Sequence, residues 1–268
     1  MTCLILARDS NMPIADVNGI RMNYCVAGEG DPVVLITGFG GTLEFWNKMV
    51  PLLSDDYMVV TFDNRGSGRT EYQGDFTKMD LIRDVVALMD HLRIFRAHVL
   101  GWSMGGHIAQ GLALYFPERV RTLTLVSTYL RRPARSSYMM NAIVDAGREG
   151  MDPHYIGAMI NAFCFTEEYF LKKEAAGCRV RAVAGDPEGL HRQMKALDTF
   201  DSRHLAKDIR APTLNIHGLE DIMVEPKEGD RITDLVPGCR RYRVPGAGHI
   251  IDPELYVDVF KRHLAGSA

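Results

Sequence analysis

Short, uninterrupted apolar runs alternate with helical patterns along most of this chain. Such runs suit strands that are buried on both faces of a parallel sheet. They cover residues 33–36, 57–62, 98–100, 123–126, 213–216 and 241–244. Apolar residues at helical spacing occur between or after them, over residues 80–92, 108–115 and 253–264. This alternation predicts an α/β fold with a mostly parallel sheet flanked by helices.

Two segments depart from the alternation. Residues 14–27 contain two strand patterns joined by Asn18-Gly19, which predicts a hairpin. Residues 130–206 contain no buried-strand run, and we predict that they form a helical cap inserted before the last two strands. The expected division is a core of residues 1–129 and 207–268 with a cap of residues 130–206.

Helix boundaries inside the predicted cap follow from capping residues. Thr166 is a candidate N-cap because Glu167 and Glu168 would occupy the first turn. Gly177 is the expected end of that helix. Asp186-Pro187 would begin another helix, with proline at the first helical position.

Composition narrows the function classes. The 268-residue chain has 31 basic and 34 acidic side chains, whereas a nucleic-acid-binding protein would gather a basic excess on one face. A membrane-spanning helix would need about 18 consecutive apolar residues, and the sequence has no such run.

Five cysteines without a Cys-x-x-Cys pair indicate neither a disulfide framework nor a zinc site, so we expect no metal and a reducing cytoplasm. Residues 1–11 lack the features of a secretion signal. A competing explanation is that Met12 is the natural start and that these residues are an extension without a structural role, and whether they are native stays open.

The segment Gly101-Trp102-Ser103-Met104-Gly105 matches a nucleophile elbow. It follows an apolar run and precedes a helical pattern, where such a turn lies. The turn is so tight that small residues are needed around the serine, and the amides that follow favour a developing oxyanion. We therefore predict that Ser103 is a catalytic nucleophile. The alternative is a glycine-bordered turn of purely structural use.

A serine hydroxyl is a poor nucleophile near neutral pH and needs a base that an acid orients. Of nine histidines, His249 follows the last apolar run, where the chain order of a Ser-acid-His triad places the base. The remaining histidines are expected to be structural or on the surface (His91, His98, His107, His217 and His263) or at most to touch substrate (His154, His191 and His204).

The acid is expected after the penultimate strand, where Glu220 and Asp221 are adjacent. Adjacent side chains seldom point the same way, so one of the two is expected to orient the histidine. We favour Asp221 and expect Glu220 to face solvent.

A glycine-rich segment, Thr37-Gly38-Phe39-Gly40-Gly41, follows the apolar run at 33–36. Glycines allow a close backbone approach, so the amides of Phe39 and Met104 are predicted to bind the oxyanion together. A flexible loop without a ligand is the alternative. The expected pocket residues are Gly38, Gly40, Trp102, Met139 and Met159.

Two further clusters have simpler interpretations. The segment at 63–68, DNRGSG, is rich in glycine but lacks the lysine of a phosphate-binding loop, so we interpret it as a structural turn. Arg131, Arg132 and Arg135 begin the predicted cap. A solvated hinge is the favoured interpretation of these arginines, and a carboxylate-binding patch is the alternative.

Five motifs, TGFGG, DNRGSGRT, GWSMGG, HGLED and GAGH, follow one another in this order. Together they resemble the α/β-hydrolase superfamily over nearly the whole chain from residue 14 onward. The sequence is most similar to cofactor-free, cap-bearing members such as 3-oxoadipate enol-lactonases, carboxylesterases and C–C bond hydrolases. The resemblance implies Ser103 as nucleophile, Asp221 as acid, His249 as base, and Phe39 and Met104 as oxyanion donors.

The expected function is that of a serine hydrolase that cleaves a carboxylic ester or lactone through an acyl-enzyme, without a cofactor. Three alternatives stay open: a C–C bond hydrolase of a ring-cleavage product, a cofactor-free perhydrolase resembling haloperoxidases, and a non-enzymatic ligand-binding protein of this fold. The expected partner is a small-molecule substrate. The oligomeric state stays open, and a homo-oligomer is one of its options.

Overall fold

A single sheet organises the protein, which a computed structural model describes over residues 12–176, 185–198 and 201–266. Within these residues the strands are β1 (Ile14–Val17), β2 (Ile20–Ala27), β3 (Asp31–Ile36), β4 (Tyr57–Phe62), β5 (Ala97–Trp102), β6 (Val120–Val126), β7 (Thr213–Gly218) and β8 (Arg240–Val244). They form an eight-stranded sheet in the order β1-β2-β4-β3-β5-β6-β7-β8. The β1–β2 and β2–β4 pairs are antiparallel, and all other neighbours are parallel. The mostly parallel α/β fold predicted from the sequence is confirmed.

Helices cover both faces of this sheet. They are α1 (Met49–Leu53), α2 (Lys78–His91), α3 (Met104–Tyr115), α4 (Ala134–Arg148), α5 (Pro153–Cys164), α6 (Glu167–Ala175), α7 (Pro187–Asp198), α8 (Pro226–Leu235) and α9 (Val257–Leu264). Successive strand residues point to opposite faces. Val34 and Ile36 therefore pack in an apolar layer with α2, α3 and α8, whereas Val33 and Leu35 pack with α1 and α9. No helix of the described residues is both long enough and apolar enough to cross a bilayer.

The carboxyl ends of the central strands meet at one edge of the sheet. Ile36 pairs with Gly101, Trp102 with Val126, and Gly218 with Val244. The segments that follow β3, β5, β7 and β8 therefore converge above this edge, which is where ligands bind in open parallel sheets.

Helices α4–α7 lie between β6 and β7, and we call them the cap helices. The chain leaves and re-enters the core at one place, because the Ser202 amide donates a 2.9 Å hydrogen bond to the Leu130 carbonyl oxygen. An apolar cluster that includes Met140, Ile156 and Leu190 holds the cap helices together. The helical insertion is thus confirmed, and the domain boundaries at 129/130 and 206/207 stay predictions.

Local signals predicted several boundaries correctly. The Asn18-Gly19 turn joins β1 and β2, with positive φ angles of 45° and 75°. The Thr166 hydroxyl accepts a 3.3 Å hydrogen bond from the Tyr169 amide, and the Asp186 carboxylate accepts a 2.8 Å bond from the Gly189 amide. Gly177 lies outside the described residues.

The last helix begins later than the apolar pattern indicates. Pro253–Leu255 forms a separate 3₁₀ turn, which the Asp252 side chain caps through the Glu254 amide. Tyr256, with φ −141° and ψ −3°, interrupts the helical backbone, so α9 begins at Val257.

Candidate active site

Ser103 lies on a sharp turn between β5 and α3. Its backbone has φ 54° and ψ −117°, a conformation that residues other than glycine rarely adopt. A Cβ at Gly105 would lie 2.1 Å from the Ile36 carbonyl oxygen, and one at Gly101 would lie 2.2 Å from the Gly105 carbonyl oxygen. Side chains at these two positions would prevent the close contact between strands and helix that the turn requires.

The structure brings Ser103 and His249 together, although 146 positions separate them in the chain. Oγ of Ser103 lies 2.9 Å from Nε2 of His249, and Nδ1 of His249 lies 2.8 Å from Oδ2 of Asp221. A carboxylate only accepts hydrogen bonds, so Nδ1 carries the proton and Nε2 can accept the serine hydroxyl. All three side chains are buried.

Both carboxylate oxygens of Asp221 accept hydrogen bonds. Its Oδ1 accepts from the amides of Met223 and Val224 at 3.0 and 2.8 Å. Burial by itself raises the pKa of the Asp221 carboxyl, but attraction to His249 and hydrogen bonds from both His217 and His249 hold that pKa below its usual value of 3.8. The adjacent Glu220 is exposed, as expected from the sequence.

His217 is a neighbour of this site that sequence reasoning treated as structural. Its Nε2 lies 2.8 Å from the Val224 carbonyl oxygen and 3.3 Å from Oδ2 of Asp221. Asp221 thus lies between two histidines. The four-residue spacing of His217 and Asp221 in HGLED could have indicated this contact, but it forms only because the chain turns after β7.

The Phe39 amide lies in the loop that follows β3, and the Met104 amide lies at the first residue of α3, directly after the turn at Ser103. Neither N–H donates to an acceptor among the described residues, so both amides are available to a ligand. The Gly41 amide donates to the Gly38 carbonyl oxygen at 3.1 Å and closes the turn around Phe39. Behind it, Asn64 Nδ2 donates to the Thr37 carbonyl oxygen at 3.0 Å, which gives the DNRGSG segment a structural contact.

A small cavity of about 70 Å³ opens in front of Ser103. Trp102 lines it, together with Phe39, Met104 and His249. The cap helices contribute Met140, Ile160, Cys164, Met194 and Leu197, and two polar side chains, Arg132 and Ser136, also reach it. The lining is therefore mainly apolar.

Four of the five predicted pocket residues lie beside this lining rather than in it. The cap helices present Met140 and Ile160 to the cavity, whereas Met139 and Met159 pack into the cap cluster. One residue along a helix turns a side chain by about 100°, which accounts for the offset. A Cβ at Gly38 would lie 2.6 Å from the Trp102 ring, and one at Gly40 would lie 2.7 Å from Cδ2 of Leu190.

The Arg132 guanidinium is buried rather than solvated. It donates to the Asp198 carboxylate and lies 2.9 Å from Sδ of Met194. The hinge interpretation of the arginine cluster therefore does not describe Arg132, because the side chain is only 8% exposed.

Cys164 forms part of the cavity wall. Burial raises the pKa of its thiol to about 12, so the thiol stays protonated near neutral pH. The buried His98 does not line this cavity. His98 lies 2.8 Å from Thr122 Oγ1, and burial lowers the pKa of its imidazole to about 4.

Known proteins of one family are similar to this chain. The family described as α/β hydrolase fold matches residues 31–252. A Mycobacterium tuberculosis protein provisionally named non-heme bromoperoxidase BpoC is 32% identical over 240 residues, which cover 86% of this chain and 91% of that protein.

Two solved structures share the fold over almost their whole length. The enol-lactonase of Burkholderia xenovorans LB400 is 28% identical, with a TM-score of 0.81 over 95% of this chain and 98% of that chain. A variant of the meta-cleavage product hydrolase CumD of Pseudomonas fluorescens IP01 is 25% identical, with a TM-score of 0.75 over 95% and 97% of the two chains. Because the family match covers more than half of the sequence, this chain belongs to the α/β-hydrolase family of hydrolases.

Proposed function

We propose that this protein is a serine hydrolase that cleaves a carboxylic ester or lactone through an acyl-enzyme intermediate. The observation that carries the proposal is the unbroken chain of contacts from Ser103 through His249 to Asp221, at 2.9 and 2.8 Å. This arrangement gives the serine a base and gives that base a fixed tautomer.

In the first half-reaction, Ser103 Oγ attacks the carbonyl carbon while His249 Nε2 accepts the hydroxyl proton. The resulting imidazolium is stabilised by the ionised Asp221. His249 then gives the proton to the leaving alkoxide, which departs as an alcohol and leaves an acyl-serine. For a lactone, the alcohol remains attached to the acyl group because the ring has opened.

In the second half-reaction, water attacks the acyl-serine and His249 accepts a proton from that water. The carboxylic acid leaves when the proton returns to Ser103. Both tetrahedral intermediates place their oxyanion near the Phe39 and Met104 amides. Loss of one such donor lowers turnover by about 10²–10³-fold in related chemistry.

The character of the cavity supports a small, apolar acyl group. Its lining is mainly apolar, and its volume of about 70 Å³ is far below that of pockets for large ligands. Lactone cleavage is a member of the same reaction class, and the fold is shared with a protein that is described as an enol-lactonase.

The direct test combines covalent labelling with turnover. We expect a fluorophosphonate probe to label the wild-type protein, and p-nitrophenyl acetate and a five-membered enol-lactone to be hydrolysed. Ser103→Ala should abolish labelling and reduce turnover by roughly 10⁴-fold or more. Ser127→Ala is a matched control, because Ser127 is a buried, positive-φ serine directly after β6 whose hydroxyl has no partner within the part of the chain that the structure describes.

Unlabelled wild-type protein would overturn the proposal and favour a non-enzymatic ligand-binding protein. Labelling without ester or lactone cleavage, together with bleaching of a coloured ring-cleavage product, would instead identify a C–C bond hydrolase. Ester hydrolases and C–C bond hydrolases would use the same serine on different carbonyl compounds, so labelling reports the active serine and the substrate cleaved separates these two classes.

Perhydrolysis is a second candidate, favoured by the 32% identity to a protein provisionally named as a bromoperoxidase. With acetic acid as the acyl donor, Ser103 would be acylated with loss of water; hydrogen peroxide would then replace water in the second half-reaction, and the acyl group would leave Ser103 as a peracid. Peracid formed from acetate and peroxide oxidises bromide, so bromination of monochlorodimedone measures it. We expect Ser103→Ala to lose this reaction together with ester hydrolysis.

A further inference from the structure

We propose that Gln193 of the cap is a positioning residue for the oxyanion loop, the segment of residues 37–41. The inference rests on the proposed function, since it assigns a purpose to the Phe39 amide. Gln193 lies on α7 and is fully buried, with 0% of its surface exposed.

The amide of Gln193 bridges three parts of the protein. Its Oε1 accepts a 2.9 Å hydrogen bond from the Gly40 amide. Its Nε2 donates at 2.8 Å to the Arg65 carbonyl oxygen and at 2.8 Å to Oγ of Ser67. One cap side chain therefore holds both the oxyanion loop and the turn beneath it.

These partners fix the orientation of the amide. The Gly40 amide can only donate and the Arg65 carbonyl oxygen can only accept. A flipped amide would face N–H to N–H and oxygen to oxygen in a fully buried site, which would leave these polar groups unsatisfied. The Gln193 amide thus has a single orientation that satisfies its partners, with Oε1 toward the Gly40 amide.

The position of Gly40 matters because it directly follows the predicted oxyanion donor Phe39. On one side of Phe39, the Gly41 amide is bonded to the Gly38 carbonyl oxygen at 3.1 Å. On the other side, Gly40 has φ +64° and its N–H is held by Gln193. The Phe39 N–H therefore belongs to the Gly38–Phe39 peptide group, which the Gly41 amide holds, and the next peptide group, Phe39–Gly40, is held by Gln193.

Helix α7 approaches both loops too closely for any other side chain to intervene. A Cβ at Gly189 would lie 2.4 Å from the Gly66 carbonyl oxygen, and one at Gly40 would lie 2.7 Å from Cδ2 of Leu190. Because of this close contact, Gln193 lies near enough to bond the Gly40 amide directly.

Gln193→Met tests the inference, because methionine keeps the length and volume but forms none of the three hydrogen bonds. Gln110→Met is the matched control. Gln110 is also fully buried, and it bonds the Tyr129 carbonyl oxygen at 3.0 Å and Ser202 Oγ at 2.8 Å, at the base of the cap. Neither partner belongs to the oxyanion loop.

With p-nitrophenyl acetate as substrate, we expect Gln193→Met to lower kcat about 10-fold while KM changes less than about 2-fold. The affinity for benzeneboronic acid, which forms a tetrahedral adduct on the serine, should fall by the same factor as kcat. Gln110→Met should keep kcat and boronic acid affinity, whatever its effect on the unfolding midpoint.

An unchanged kcat in folded Gln193→Met would overturn the inference, and so would equal losses of kcat in the two variants. If Gln193→Met does not fold, Ser67→Ala decides, because it removes one acceptor of the Gln193 amide. A roughly 3-fold lower kcat at constant KM supports the inference, and no change contradicts it. Failure of the wild-type protein to hydrolyse any acyl substrate would instead refute the proposed function.

Discussion

The indole nitrogen of Trp102 donates a 3.0 Å hydrogen bond to the backbone carbonyl oxygen of His249. The residue next to the nucleophile thus holds the main chain of the candidate base. The Trp102 ring is itself fixed, since it stacks on Phe45 with 4.2 Å between ring centroids and an interplanar angle of 18°. The His249 loop is therefore tied to β5 independently of the contact with the serine hydroxyl.

Trp102→Phe should lower kcat about 10-fold, because phenylalanine keeps an aromatic ring against Phe45 but leaves the His249 carbonyl oxygen without its donor. Steady-state kinetics with p-nitrophenyl acetate measures the effect. Trp46→Phe is the control, since Trp46 is also buried and its indole N–H has no acceptor among the described residues. Equal activities of the two variants would contradict the positioning role of Trp102.

Ser103→Gly should be more stable than Ser103→Ala by about 1 kcal/mol, although both lose the nucleophile. Alanine retains the Cβ that makes φ 54° and ψ −117° unfavourable, whereas glycine adopts these angles freely. Urea unfolding of the two variants gives the difference. A more stable alanine variant would show that the turn carries no such strain.

Gly105→Ala should destabilise the fold by several kcal/mol or prevent folding, because the new Cβ would lie 2.1 Å from the Ile36 carbonyl oxygen. Gly147→Ala is the matched substitution. Gly147 lies in α4, and a Cβ there would meet its nearest neighbour at an ordinary 3.5 Å. We expect that variant to gain about 0.5–1 kcal/mol in thermal or urea unfolding. Similar stabilities of the two variants would refute the close approach at Gly105.

The protein should lose stability as the pH falls from 6.5 to 4, partly through His263. Burial lowers the pKa of this imidazole to about 4, and its Nδ1 faces Arg240 while its Nε2 lies 3.2 Å from the Leu123 carbonyl oxygen. The unfolded chain binds a proton near pH 6.5, but the folded protein does not, so acid favours unfolding. His263 should therefore cost about 1 kcal/mol at pH 5.5 relative to pH 7.5.

His263→Gln tests this, since glutamine does not titrate and can still donate to the Leu123 carbonyl oxygen. Its unfolding free energy should depend less on pH between 6.5 and 4 than that of the wild-type protein. Identical slopes in urea titrations across this window would exclude a contribution from His263.

The sequence predicts the sheet and the insertion well, because both depend on local patterns. Buried parallel strands appear as apolar runs, and the insertion appears as their absence. The end of β5 is also readable, since glycines at 101 and 105 are needed wherever strand and helix approach this closely.

Contacts between distant segments are less accessible to sequence reasoning. Gln193 and Gly40 are 153 positions apart, and no local pattern links an amide on a cap helix to a glycine loop. The observed cavity lining differs from the predicted one for a related reason. A helical pattern shows that α4 has an apolar stripe, but only its packing against α7 decides whether Met139 or Met140 faces Ser103.

The cavity in front of Ser103 has a volume of about 70 Å³, which is smaller than the roughly 300–1,000 Å³ of pockets for larger ligands. Entry of an ester therefore requires its walls to rearrange, and the walls include the unbranched thioethers of Met140 and Met194. Such side chains have several rotatable bonds and repack readily. The range of substrates would then depend on how far the side chains of Met140 and Met194 can move out of the cavity. Branched replacements such as isoleucine would narrow that range without altering the catalytic groups.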